Sequence, residues 1–217
     1  MMYNEEIMQE LLAVCRRLDR KGFVGPSSGN ISAKCGNYIY ITPSGTNKGL
    51  LTEDMIAIID KDGKQIAGRL KATSELIMHY TCYYKMNVGR EIGGVVHTHA
   101  PFLTAFSLSY TPVENLGYPE LISSFDKIEV APFGEPGTDA IIGEAIPYLM
   151  RNNAVMLGNH GALSVGKTVT EAMNTMETAE EIAKVCWLAK AVGETVPLPE
   201  ASIASARGQH HARFGLK

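Results

Sequence analysis

The chain reads as a single α/β domain, and three observations carry that reading. Helical and extended periodicities alternate from end to end. The first half reverses direction repeatedly at glycine-bearing turns, which favours short antiparallel strands. No Pro/Gly/Ser-rich linker or shift in composition divides the 217 residues, and a hydrophobic content of 45% is enough for one substantial core.

Residues 4–21 carry Ile7, Leu11, Val14, Cys15 and Leu18 at helical spacing, and Gly22 stands where a helix stops. The polar loop Gly25-Pro26-Ser27-Ser28-Gly29-Asn30 leads into Ile31-Ser32-Ala33-Lys34. Gly36-Asn37 then turns the chain back through Tyr38-Ile39-Tyr40-Ile41 as a hairpin. Thr42-Pro43-Ser44-Gly45 is a further turn before a strand over 55–60, and Lys61-Asp62-Gly63-Lys64 reverses direction again. Ala72-Thr73-Ser74-Glu75 changes the period: Leu76, Ile77, Tyr80, Tyr83 and Tyr84 predict a helix to about Met86.

Gly93-Gly94-Val95-Val96 begins a strand that ends in His97 and His99, and Pro101 suits the first turn of a following helix. Residues 111–127 read as loop with a short helix, closed by a strand at Ile128-Glu129-Val130. A helix over 138–151, strands at 154–157 and 162–165, and a long helix from Thr170 to about Val192 complete the domain, placed at 1–200. Past Pro197 the apolar periodicity is lost, so 201–217 reads as a mobile or partner-dependent tail.

A net charge of -3 and a pI of about 6.1 give no basic excess, which argues against nucleic acid as a partner. No apolar run reaches the roughly eighteen residues needed to cross a bilayer, and Met1-Met2-Tyr3-Asn4-Glu5-Glu6 lacks a basic region followed by an apolar one. A cytoplasmic protein with no membrane partner is expected. Cys15, Cys35, Cys82 and Cys186 show no Cys-x-x-Cys spacing and are expected to be free thiols.

Chemistry concentrates at Val95-Val96-His97-Thr98-His99-Ala100. On an extended strand, residues two apart share a face, so both imidazoles project together. His160, in Gly158-Asn159-His160-Gly161 after another apolar run, is the candidate third ligand. Three histidines with an open fourth position suit a catalytic rather than a closed structural metal site. Three small-residue patches, Ser28-Gly29-Asn30, Thr42-Pro43-Ser44-Gly45 and Thr73-Ser74-Glu75, are singly turns or caps. Brought together, their amides and hydroxyls can bind a phosphate dianion with no lysine or arginine. Glu75 would then present a carboxylate beside that anion.

In this order, Ser28-Gly29-Asn30-Ile31-Ser32, Ile41-Thr42-Pro43-Ser44-Gly45, Thr73-Ser74-Glu75, His97-Thr98-His99-Ala100 and Asn159-His160-Gly161 resemble the successive motifs of the zinc-dependent class II aldolase/adducin family, nearest to its fuculose 1-phosphate aldolases. The resemblance implies a three-layer α/β/α domain with a mainly antiparallel central sheet, assembled as a homotetramer with sites between subunits. It implies zinc, or another divalent transition metal, on His97, His99 and His160. It also implies a sugar-phosphate site around Gly29, Asn30, Ser44, Gly45, Thr73 and Ser74.

Glu75 matches the acid/base glutamate of the family's aldolases, whereas its epimerases carry aspartate and its dehydratases lack the group. Tyr118 lies at about the right distance after His99 for the tyrosine that serves the C4 hydroxyl across a subunit boundary, although Asn115-Leu116-Gly117-Tyr118-Pro119 departs from the best-known members. The implied activity is reversible cleavage of a short ketose 1-phosphate, of the fuculose or 5-deoxypentulose type, to dihydroxyacetone phosphate and a small aldehyde. A pentulose 5-phosphate 4-epimerase and a non-catalytic adducin-like module are the alternatives. His79 shares a helical face with Glu75 and is expected to be structural and hydrogen-bonded; His210 and His211 are expected to be solvated.

Overall fold

A computed structural model describes residues 3–86 and 90–216; Met1, Met2 and Lys217, which belong to the expected N-terminus and tail, lie outside the described residues. Eight strands form one sheet: β1 (Asn30–Cys35), β2 (Tyr38–Ile41), β3 (Ala57–Ile59), β4 (Gln65–Ala67), β5 (Gly94–Thr98), β6 (Val130–Ala131), β7 (Ala154–Leu157) and β8 (Gly161–Gly166). Their spatial order is β4-β3-β2-β1-β5-β8-β7-β6. Every pair is antiparallel except β6 with β7, which is parallel, so the mainly antiparallel sheet expected is strictly a mixed one.

Side-chain alternation sorts the core into two layers. Ile31, Ala33, Tyr40, Ile58, Val96, Ala154, Met156 and Ala162 face one side, where α1 (Glu5–Arg20), α3 (Pro101–Leu108), α4 (Pro119–Phe125) and the long α7 (Val169–Val192) supply Leu11, Leu103, Phe125 and Met176. Ile39, Ile41, Ile59, Val95, Val155, Leu157 and Leu163 face the other, covered by α2 (Leu76–Tyr80), α5 (Ala140–Gly143) and α6 (Ile146–Leu149). The result is the expected α/β/α sandwich. Asn30 and Ser32 occupy the second face of β1 at fully buried or nearly buried positions, so a polar seam runs through an otherwise apolar layer.

Several elements depart from their sequence patterns for local reasons. The helix expected over 138–151 divides into α5 and α6, because Pro147 has no N–H to continue the ladder. The helix expected to reach Met86 is α-helical only over Leu76–Tyr80; Thr81–Lys85 widens into a π turn, closed by Met86 N donating to Thr81 O at 2.8 Å. Residues Glu53–Met55 form a 3-10 turn, which shortens the strand that follows to β3. Glu180 of α7 reaches across to accept from the free amides of Phe102 and Leu103 at 2.8 Å each, capping the helix that leaves His99.

The largest departure is the C-terminus. Residues expected to form a mobile or partner-dependent tail make helix α8 (Glu200–Phe214), which packs on α4 and is tied to it by Arg207 on Asp126 at 2.7 Å. His210, expected in solvent, is buried there, with its ring 4.8 Å from Phe214. The missing signal is physical: α8 buries only Ala206 and His210 in full, too few apolar positions to leave a period.

Candidate active site

β5 lies in the middle of the sheet between β1 and β8, so its end is held from both sides. Asn30 stands directly opposite His97 on β1 and Leu163 on β8. His97 and His99, two residues apart, emerge on one face with ring centroids 5.2 Å apart. His160 joins them from the turn between β7 and β8, its ring 4.8 Å from His97 and 5.1 Å from His99. That turn is tight: Asn159 takes the left-handed conformation (φ 56°), and His160 N donates to Leu157 O at 3.0 Å. Gly161 must lack a side chain, because a Cβ there would lie 2.5 Å from Thr98 O and 3.1 Å from His99 Cδ2.

One ligand atom from each of the three imidazoles falls within 4.8 Å of the others, so the cluster can hold a metal ion. The protonation pattern fits. His97 Nδ1 donates to Ala162 O at 2.9 Å, which leaves Nε2 bare, fully buried and without a hydrogen-bond partner. Burial, reinforced by the His160 and His99 rings, holds His97 well below the ordinary imidazole pKa. His99 is lowered by burial and by His160. Neutral imidazoles with a free lone pair are the state a cation requires.

Glu75 stands against this cluster, with Oε2 3.5 Å from His97 Nε2 and Oε1 3.4 Å from His160 Nε2. Its position is set by a chain of buried hydrogen bonds. Asn30 Nδ2 donates to Glu75 Oε2 at 2.7 Å, which turns Asn30 Oδ1 toward His79 and makes His79 Nε2 the donor at 2.5 Å. His79 Nδ1 then accepts from Ser32 Oγ at 2.7 Å, and Ser32 is in turn contacted by the Tyr83 hydroxyl, 2.8 Å from its Oγ and 3.0 Å from its carbonyl oxygen. His79 is therefore hydrogen-bonded at both nitrogens, as its expected structural role requires. Burial, aided by His97, lowers its pKa to about 3 and keeps it neutral.

The three small-residue patches do converge. Gly29, Asn30, Ser44, Gly45, Thr73 and Ser74 line one cleft of about 220 Å³ together with Glu75, His99 and His160. Gly29 adopts φ 72°, and a Cβ there would press on Val24 Cγ1 at 2.6 Å and on His97 O at 3.0 Å. Thr42 turns inward instead, accepting from Ile31 N at 3.1 Å. The helix expected to open at residue 73 starts at Leu76, and Thr73 Oγ1 accepts from Glu75 N at 3.3 Å.

Two further residues of the cleft, Lys48 and Pro136, escaped the sequence reading. Lys48 sits among Thr46-Asn47-Lys48-Gly49, where a lysine ordinarily reads as solvated, and Pro136 sits in a loop without a pattern. Tyr118 does not line the cleft of its own chain. It precedes α4, its hydroxyl 3.4 Å from Glu120 Oε2, and burial beside Glu120 raises its pKa.

Comparison with known proteins follows the same line. The family model described as "Class II Aldolase and Adducin N-terminal domain" matches residues 9–187. An L-fuculose phosphate aldolase of Methanococcus maripaludis is 37% identical over 185 residues, covering 83% of this chain and 96% of its own. A 5-methylthioribulose-1-phosphate/5-deoxyribulose-1-phosphate aldolase of Escherichia coli O45:K1 is 28% identical, covering 97% and 89%. Among solved structures, an L-fuculose 1-phosphate aldolase superposes with a TM-score of 0.85 at 26% identity, over 96% of this chain and 97% of that one.

Proposed function

We propose that this chain, which belongs to the class II aldolase and adducin N-terminal domain family, is a metal-dependent carbon–carbon lyase that reversibly cleaves a short ketose 1-phosphate to dihydroxyacetone phosphate and a small aldehyde. The observation that carries this reading is the juxtaposition of three imidazoles, a buried carboxylate and an anion cleft at one sheet end. Relatives that act on fuculose phosphate and on 5-deoxyribulose 1-phosphate support a ketose carrying its phosphate on C1.

We assign His97, His99 and His160 as ligands of a divalent ion, zinc by preference, since three imidazoles and no thiolate suit it. An ion held by these three residues would supply Lewis acidity, stabilising the negative charge that develops as the C3–C4 bond breaks. Gly29, Asn30, Ser44, Gly45, Thr73 and Ser74 hold the phosphate away from that bond, so binding energy there orients the chain of carbons. Glu75 Oε1 returns the proton to C3 after cleavage and removes it in the synthetic direction. We assign Tyr118, acting across a subunit boundary, to the proton of the C4 hydroxyl, and with it a homotetramer. Val185, Trp187, Leu188 and Val192 exposed along α7 support an assembled state. Among the described residues no helix is long and apolar enough to cross a membrane; the reading places the enzyme in the cytoplasm.

A panel of ketose 1-phosphates, assayed for dihydroxyacetone phosphate and free aldehyde through coupled dehydrogenases, tests the activity. Release of both supports an aldolase. Formation of a diastereomeric ketose phosphate without free aldehyde rejects it in favour of an epimerase.

A further inference from the structure

One charged residue of the cleft has no role in the chemistry above. Lys48 opens the 3-10 turn Lys48–Leu50 just beyond the Ser44-Gly45 loop, and its side chain is folded beneath that loop with 2% exposure. Nζ donates to Thr46 O at 2.9 Å, and among the described residues no carboxylate lies within ion-pair distance of it. The lysine nevertheless lines the same cleft as Ser44, Gly45, Thr73 and Ser74.

An ammonium withdrawn from water with a single carbonyl for company destabilises the fold, and burial accordingly lowers its pKa. Three N–H donors are available on Nζ and one is spent on Thr46, so two remain. The cleft also contains the Glu75 carboxylate, which opposes the entry of a second anion. Hydroxyls and amides can solvate an incoming phosphate, but they do not cancel that repulsion.

We propose that Lys48 is a specificity-determining residue that supplies the counter-charge for the substrate's phosphate and selects a dianionic phosphomonoester over an uncharged or singly charged group. The proposal rests on reading this cleft as the phosphate site. Lys48 acts remote from the breaking bond, so its contribution is to binding and appears mainly in KM.

Lys48→Met removes the charge at nearly constant volume, and Lys48→Arg retains it. Inorganic phosphate is the probe, titrated calorimetrically into the purified metal-loaded protein, with thermal melting and ketose 1-phosphate kinetics in parallel. The methionine variant is expected to bind phosphate at least about tenfold more weakly, with a matching rise in KM. It should melt no lower than the wild type, since a buried unpaired charge is gone. The arginine variant is expected to stay within about threefold of wild-type phosphate affinity.

A merely structural lysine gives the opposite pattern, a lower melting temperature with phosphate affinity unchanged, and that result overturns the proposal. If Lys48→Met does not fold, equal loss of phosphate affinity in a folded Lys48→Arg and in a folded Lys48→Gln overturns it as well, because charge would then not matter. Ser44→Ala and Thr73→Ala separate the two readings. Weakened phosphate binding in these with none in Lys48→Met leaves the phosphate cleft standing and removes Lys48 from it. No change in any of the three removes both.

Discussion

Asn30 Nδ2 lies 2.7 Å from Glu75 Oε2, and this contact decides which carboxylate oxygen is left for chemistry. Oε1 remains, buried and without a hydrogen-bond partner, on the side of His160. Glu75→Gln keeps the shape and removes the base. Turnover is expected to fall by roughly 10²–10⁴-fold, the usual range for a general acid/base, with metal content unchanged. Parallel assays of dihydroxyacetone phosphate release and bound metal check this; undiminished turnover rejects the role of Glu75.

His79 acts on Glu75 only through Asn30, so it is a positioning residue. Replacing it by Ala frees Asn30 to rotate and to offer its carbonyl to the carboxylate. A fall in kcat of about tenfold with little change in KM is expected, whereas Ser32→Ala, one bond further away, should cost less. Nitrogen-15 NMR of the wild type should show the neutral Nε2–H tautomer at pH 7. A protonated His79, or the other tautomer, contradicts the hydrogen-bond chain.

The same histidine ties stability to pH. Its pKa is about 3 when folded against an ordinary 6.5, so the unfolded chain takes up the proton first as pH falls. Its contribution is complete above pH 6.5 and is lost progressively between 6.5 and about 3. His97 and His99 shift in the same direction. Urea denaturation of the metal-free protein should therefore show stability falling as the pH drops below the ordinary imidazole pKa, with His79 alone accounting for about 1 kcal/mol over the first unit. His79→Gln should flatten this dependence; an unchanged slope would mean that His79 is not held neutral.

Gly161 is tested through its missing side chain. Gly161→Ala places a Cβ against Thr98 O and His99 Cδ2, so the strand end or the His99 ring must move. A loss of about 1–3 kcal/mol in stability is expected together with weaker metal binding. Wild-type melting and metal affinity would show that the turn has room to spare.

Much of the frame was legible because it rests on alternation. His97 and His99 share a face as their spacing required, and the apolar runs before His97 and His160 became β5 and β7 of one sheet, with β8 between them. Period said nothing about which polar residues would be buried. Asn30 was read as an anion ligand, yet its amide also bridges Glu75 and His79, a duty visible only once β1 lies beside β5. Lys48 was missed because composition treats a lysine as solvated, and α8 because a helix that buries two side chains leaves almost no apolar stripe.

The central claim is that three imidazoles distant in sequence serve one cation. Elemental analysis of the purified protein, after supplementation with zinc, cobalt or manganese and removal of unbound ion, tests it most directly. About one divalent ion per chain is expected in the wild type and a large loss in His97→Ala and His160→Ala, with activity falling in proportion. A wild type that retains no ion, or histidine variants that retain a full complement, would contradict it.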